Sequence, residues 1–273
     1  MLQVVECNIK LTITIPKGSL YYPCCWNDTL EPIKIFLNQV DEFHFVDNMN
    51  IGLPALEGEE VRSRYPYTSI LNHGKFCDPR EGKLLHKPQW FVEKSSMHPV
   101  EIKQETQDFA NTLTDCAWAP KNPGLYQETW CNSRNGTKTE VYCHHNDGVI
   151  ALSSFDKLSV FFYRGDSIGE SGSGQWWLGP KLFNVVLDKL LDGGLIITDG
   201  SNPDPMFGKV EWSPLWKERN YSFARSSSVS SDERSLSLNE NNDFIYRDRT
   251  FKCLGKIAPI RNRTTYVWQV KHL

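Results

Sequence analysis

The sequence lacks an excess of charge of either sign. Its 273 residues include 30 Lys and Arg against 33 Asp and Glu, which gives a formal net charge of −3. A protein that binds a nucleic-acid backbone over much of its surface needs a strong positive field, so nucleic acid is an unfavoured partner. Apolar residues make up 40% of the chain and aromatic residues 12%. A chain of this length and composition can bury a core without help from disulfides or metal ions.

The sequence also has no apolar run long enough to cross a membrane, which takes roughly 18 to 20 residues. Its first ten residues do not show the basic segment followed by an apolar segment that is typical of a secretory signal peptide. We therefore expect a cytoplasmic protein that has no membrane partner.

None of the eight cysteines belongs to a C-x-x-C pair, the spacing with which two thiolates of one turn share a zinc ion. Their even number and several Asn-x-Ser/Thr sequons would suit a secreted, disulfide-bonded glycoprotein. Such short sequons often occur by chance, so free thiols in a reducing cytosol are the favoured interpretation. Cys143, His144 and His145 are consecutive, and neighbours on a strand point to opposite faces. No metal site is expected there.

Residues 19–48 predict a strand, a loop, a helix and a second strand. The first apolar run ends at Pro23, and residues 29–40 place apolar side chains at helical spacing, with Thr29 as the expected N-cap. A β-favouring run follows and ends in Asp47. A unit of this kind implies a right-handed crossover between parallel strands.

The second half of the sequence repeats this alternation. Residues 158–163 form the nearly continuous apolar run of a strand that is buried on both faces, and a polar loop follows them. Residues 181–191 predict an amphipathic helix that ends at Gly193 and Gly194, and residues 195–198 predict the next strand.

Two antiparallel hairpins are predicted beside these strands. An Asn-Gly turn at 135–136 separates the β-rich runs 125–131 and 139–144. The runs 250–257 and 264–270 predict a closing hairpin at the edge of the sheet.

Two segments interrupt the regular pattern. Pro, Gly and charged residues break every periodicity across residues 50–137, which predicts an insertion after the second strand. The Ser-rich and Asn-rich residues 220–243 predict a flexible loop, or a lid that orders over a ligand. Residues 1–273 are thus predicted to form a single α/β domain with a mostly parallel sheet.

This order of elements resembles the class I S-adenosylmethionine-dependent methyltransferases, which have a Rossmann-like sheet. Residues 187–199, Leu-Asp-Lys-Leu-Leu-Asp-Gly-Gly-Leu-Ile-Ile-Thr-Asp, are similar to the helix, Gly-Gly turn and fifth strand of that family. The combination of Tyr22, Pro23, Asp28 and Pro32 also resembles a group of uncharacterised bacterial proteins similar to these methyltransferases. The resemblance covers residues 19–48 and 138–273, and it implies S-adenosylmethionine as cofactor with an unidentified acceptor.

The resemblance also implies which residues bind the cofactor. The loop after the first strand would hold its amino-acid end, a strand-end acid would bind both ribose hydroxyls, and a polar pair would contact the adenine amino group. The implied cofactor-binding residues are Pro23, Cys24, Cys25, Asn27, Asp28, Asp47, Asn146, Asp147, Arg164, Gly165 and Asp166. The implied substrate side of the cleft comprises Ser167, Glu170, Trp176, Asp199 and Asn202.

The first loop departs from the family, because residues 23–28 contain no glycine. The family uses glycine there so that the backbone can take a positive φ and approach the ligand closely. A bulky side chain such as Trp26 would instead fill the cleft. The alternative hypothesis is therefore a degenerate, non-catalytic Rossmann-like protein that serves as a binding or scaffold module.

Overall fold

The computed structural model describes most of the chain in several segments. These are residues 2–6, 9–25, 29–37, 39–48, 90–114, 117, 119–132, 134–164, 175, 177–178, 180–198, 237–238, 244–260 and 263–273. The predictions for residues 51–89 and for most of 220–243 lie outside them.

Thirteen strands and four helices are formed by these residues. The strands are β1 (Leu2–Glu6), β2 (Ile9–Ile13), β3 (Ser19–Pro23), β4 (Glu42–Asp47), β5 (Trp90–Pro99), β6 (Gly124–Asn132), β7 (Lys138–His145), β8 (Leu158–Tyr163), β9 (Leu190–Thr198), β10 (Ser237–Leu238), β11 (Phe244–Tyr246), β12 (Arg249–Ile260) and β13 (Arg263–His272). The helices are α1 (Leu30–Phe36), α2 (Gln104–Leu113), α3 (Gly148–Ser153) and α4 (Pro180–Lys189).

All the described strands belong to one mixed sheet whose centre is parallel. Its main path runs β10-β11-β12-β13-β9-β8-β3-β4-β7-β6-β5, and β1 and β2 continue from β12. The pairs from β7 to β9 along this path are parallel, whereas the strands on both sides of them pair antiparallel. The fold is therefore α/β, with a parallel centre and antiparallel C-terminal strands, as the sequence predicts.

Successive aromatic side chains of the central strands are buried on opposite faces of the sheet. Tyr22 and Phe162 pack on one face with Phe36 of α1. Tyr21 and Phe161 pack on the other face, in the cluster that includes α3 and α4. Burying an aromatic side chain of this size contributes about 1.5–3 kcal/mol, so this double layer holds the centre of the sheet in place.

The hairpin predicted around the Asn-Gly turn is confirmed as β6 and β7. The closing hairpin is confirmed as β12 and β13, but it does not form the edge of the sheet, because β11 and β1 both pair with β12. The predicted insertion contributes β5, α2 and β6, which extend the sheet beyond β7.

The helix predictions are confirmed at one end and wrong at another. Thr29 occupies the N-cap position of α1, as predicted, although its backbone is helical and its side chain makes no capping hydrogen bond. The Gly pair at 193–194 does not end α4, which stops at Lys189, but lies inside β9. A Cβ at Gly194 would meet the backbone oxygens of Leu191 and Ser159 at 2.8 and 3.0 Å, so the close passage of two strands requires glycine there.

Candidate functional site

Three loops meet at the carboxyl edge of the parallel strands. The amide of Cys25, after β3, donates to the carbonyl oxygen of Val46 on β4 at 3.2 Å. The amide of Asn146, after β7, donates to the carbonyl oxygen of Asp47 at 3.1 Å. These bonds join the ends of three neighbouring strands into one edge. This is the edge at which ligands bind in open α/β sheets.

The loop after β3 turns sharply at Cys24. This residue has a φ of +54°, the left-handed conformation that glycine adopts most readily. Cys25 is buried, and Cys24 is half-buried. Cys24 therefore adopts the positive φ for which the resemblance implies a glycine in this loop.

Asp47 ends β4 at the centre of this edge. Only 7% of its surface is exposed, and its backbone joins the β7 loop as described above. A short carboxylate on a rigid strand end suits the vicinal diol of a ribose, which offers two hydroxyl donors.

Asp147 caps α3 with one carboxylate oxygen. Oδ1 accepts from the amides of Val149 and Ile150 at 2.8 and 3.2 Å. Oδ2 accepts from Nε2 of Gln175 at 2.9 Å. Both oxygens of the group expected to contact a base are thus bonded within the chain.

The Trp177 indole packs against the start of α3 and against aromatic side chains of β3 and β8. It is fully buried, with its ring centroid 5.8 Å from that of Phe161 and 6.2 Å from that of Tyr163. A Cβ built on Gly148 would lie 2.8 Å from the indole and 3.0 Å from Pro23. Glycine at 148 is therefore required by the closeness of the tryptophan.

Arg164 follows β8, the strand beside β3, and is 1% exposed. Its guanidinium carbon lies 4.9 Å from the ring centroid of Phe162, a cation–π distance. Its carbonyl oxygen accepts from the Tyr22 hydroxyl at 2.9 Å. The aromatic layer of the core therefore fixes the position of this arginine at the end of the strand.

Several expected site residues thus lie at one edge, and others lie outside the described segments. The structure brings together Pro23, Cys24, Cys25, Asp47, Asn146 and Asp147, and it places Arg164 at the end of the neighbouring strand. The expectations for Trp26, Asn27, Asp28, Gly165, Asp166, Ser167, Glu170, Trp176, Asp199 and Asn202 fall outside the described segments. Gln175 was not expected at the site, and no sequence signal marks a single glutamine as the partner of an aspartate 28 positions earlier.

A second polar cluster crosses β4 and β7. Nε2 of His44 lies 2.8 Å from Oε2 of Glu42, and Nδ1 of His44 lies 3.0 Å from Nε2 of His144. The Tyr142 ring stacks on His44 with centroids 4.5 Å apart. Burial and the neighbouring His44 lower the pKa of His144 to about 3. The hydrogen bond from His44 lowers the pKa of Glu42, and burial lowers that of His44.

A third cluster surrounds the carboxylate of Glu128 on β6. This buried group accepts from the Tyr126 hydroxyl at 2.6 Å and from Nε1 of Trp130 at 2.8 Å. Burial raises the pKa of Glu128. Its two donors are the residues two positions away on the same face of the strand, so one strand supplies the whole cluster.

The described segments contain no group of three or more His, Cys, Asp and Glu residues that could hold a metal ion. Within those same segments, every helix is too short or too polar to traverse a bilayer. Comparison of the chain with family models, with curated proteins and with solved structures found no match.

Proposed function

We propose that the chain is a Rossmann-like, S-adenosylmethionine-dependent methyltransferase-like protein whose acceptor is unidentified. The observation that carries the proposal is the order of the parallel strands. Counted along the chain, β3, β4, β7, β8 and β9 are the first to fifth of them, and they lie in the order 3-2-1-4-5. This is the order of the doubly wound folds that bind nucleoside cofactors.

The strand order also supports a place for the cofactor. The direction of strand addition reverses between β3 and β8, and ligands of doubly wound sheets bind at the carboxyl edge beside such a reversal. Cys24, Asp47 and Asp147 are at the carboxyl ends of β3, β4 and β7. The resemblance assigns these three positions, in this order along the edge, to the amino-acid end, the ribose and the base of the cofactor.

The residues at this edge fit the proposed cofactor in part. The turn at Cys24 gives the first loop a positive φ, one of the two properties for which the family uses glycine there, whereas its Cβ remains beside the ligand position. Asp47 would accept from the ribose hydroxyls, and Asp147 would accept from the adenine amino group once Gln175 moves away. The cofactor, when bound, supplies an activated methyl group, so the protein mainly has to align donor and acceptor.

The direct test is calorimetric titration with S-adenosylmethionine and S-adenosylhomocysteine, together with thermal unfolding in their presence. We expect binding by the natural chain and a loss of at least about tenfold in affinity for Asp47→Asn, because the amide replaces one of two strong acceptors. Glu128→Gln is the matched control, since it neutralises another buried carboxylate away from this edge. Absence of both heat and thermal stabilisation at millimolar ligand would refute the cofactor proposal.

The second candidate function is a degenerate, non-catalytic binding or scaffold protein. It is favoured by the filled space around Trp177 and by the engaged carboxylate of Asp147. On this alternative, neither the natural chain nor a variant in which Gln175 is truncated binds the nucleoside ligands.

The cytoplasm is the proposed site of action. Its support is that Cys131 and Cys143 are free thiols, the state that a reducing compartment maintains.

A further inference from the structure

We propose that Gln175 is a built-in competitor for the base-binding end of the site, so that an adenine-bearing ligand binds only by displacing it. The proposal rests on the function proposed above and concerns the regulation of the same site. It starts from the bond between Nε2 of Gln175 and Oδ2 of Asp147, 2.9 Å long and buried at both ends.

The chemistry of this bond is that of base recognition. The side-chain amide of glutamine presents an NH₂ donor on a planar sp² group, as the exocyclic amine of adenine does. The other oxygen of Asp147 is held by the backbone of α3 and is not available without loss of the helix cap. The amide of Gln175 and the amine of an adenine would therefore compete for the same acceptor, Oδ2 of Asp147.

We call the arrangement in which Gln175 bonds to Asp147 the closed arrangement. The neighbouring Trp177 indicates that this arrangement does not satisfy every buried hydrogen-bond donor of the described residues. Its indole Nε1 is buried and has no hydrogen-bond partner among the residues that the structure describes. A buried donor without an acceptor costs free energy, because water would otherwise bond to it. Trp177 lies two positions after Gln175 in the chain. Opening would pair the indole N–H with water or with a ligand acceptor.

The affinity for a nucleoside then depends on how often the site is open. When only a fraction of the molecules can bind, the apparent dissociation constant rises by the inverse of that fraction. Removal of the Gln175 amide abolishes one contact of the closed arrangement and leaves the carboxylate of Asp147 in place. Such a variant is expected to bind more tightly than the natural chain.

The experiment compares Gln175→Ala and Gln175→Met with the natural chain by titration with S-adenosylhomocysteine and with adenosine. Gln175→Met keeps the length of the side chain without its amide and so guards against a loss of packing. Gln127→Ala is the matched control, because that glutamine also donates to a carboxylate, Glu140 at 3.0 Å, but in the middle of β6. Thermal unfolding establishes that each variant is folded.

We expect both Gln175 variants to bind adenosine at least about tenfold more tightly, since one competing hydrogen bond to a charged group is removed. Inosine carries an oxygen where adenosine carries the amine. We expect the natural chain and the Gln175 variants to bind inosine with the same affinity. Equal affinities of the natural chain and the variants for adenosine would overturn this inference alone. Absence of binding by the natural chain and by every variant would overturn the proposed function and this inference together.

Discussion

The imidazole rings of His44 and His144 are hydrogen-bonded to each other, Nδ1 to Nε2, across two parallel strands. Glu42 accepts at the remaining nitrogen of His44, which therefore carries its proton on Nε2. With both rings neutral, Nδ1 of His44 has to accept the proton of His144 Nε2. These hydrogen bonds fix the tautomer of both histidines. Burial of His144 disfavours a positive charge on its ring.

This pair makes the stability of the protein depend on pH below neutrality. Both pKa values are lower in the folded chain than the ordinary 6.5, and that of His144 is about 3. Above pH 6.5 both rings are mainly neutral in the folded and in the unfolded chain, so their titration does not lower the free energy of unfolding there. As the pH falls below 6.5, the unfolded chain takes up protons that the folded chain refuses. We expect the free energy of unfolding to fall by up to about 1.4 kcal/mol per pH unit for each histidine.

Urea denaturation between pH 7 and pH 5 measures this slope. The variant His144→Gln keeps a nitrogen or oxygen near the position of Nε2 and removes one titrating group, so its slope is expected to be smaller. His98→Gln is the control, because His98 is exposed on β5 and is not part of the pair. Identical slopes for the natural chain and His144→Gln would contradict the assignment of the pH dependence to this ring.

Glu128 is expected to have the opposite dependence on pH. Burial raises the pKa of this carboxyl, so the folded chain holds the proton more firmly than the unfolded chain does. Stability is therefore lost as the pH rises above 4.5. Glu128→Gln removes this titration and still provides an acceptor for Trp130 and a donor for Tyr126. We expect the stability of the variant to rise relative to that of the natural chain as the pH increases from 4 to 8.

Glu128→Leu separates the loss of charge from the loss of hydrogen bonds. It leaves the Tyr126 hydroxyl and the Trp130 indole without their acceptor, at about 1–3 kcal/mol for each buried donor. Thermal unfolding at pH 4 and pH 8 gives both comparisons. A stability difference between Glu128→Gln and the natural chain that stays constant from pH 4 to pH 8 would mean that the carboxyl does not titrate differently in the two states.

The sequence predicts the centre of the fold because burial on two faces leaves a visible pattern. The strands β3, β8 and β9 contain nearly continuous apolar runs, and the turn between β6 and β7 contains Asn-Gly. The misplaced helix end at Gly193 has a physical reason as well. Gly193 has a φ of +77°, and the pairing of β8 with β9 shifts register nearby. Glycines at a helix end and at a strand irregularity give the same sequence signal.

The site was predictable only where a residue's place follows from the end of a strand. Asp47 and Asp147 could be placed at the edge because strand ends determine their positions. The role of Asp147 could not be predicted, since an aspartate before a helix serves equally as a ligand-binding group and as an N-cap. The contact with Gln175 joins distant parts of the chain, and the cross-strand pair of His44 and His144 spans 100 positions. Only the packed structure brings such partners together.

The backbone of Cys24 leads to the last prediction. A side chain in the left-handed conformation brings Cβ close to the following carbonyl, at about 1–2 kcal/mol, and glycine avoids this contact. We expect Cys24→Gly to be more stable than Cys24→Ala by about 0.5–1 kcal/mol, because the greater freedom of glycine in the unfolded chain offsets part of the gain. Cys24→Val should be the least stable, since a β-branched residue tolerates positive φ poorly. The alanine variant controls for the loss of the thiol. Thermal unfolding of the three variants tests this order, and a glycine variant no more stable than alanine would exclude backbone strain at Cys24. If the order holds, the loop after β3 maintains a glycine-type turn with a cysteine, so the backbone conformation at Cys24 is by itself no argument against ligand binding at this edge.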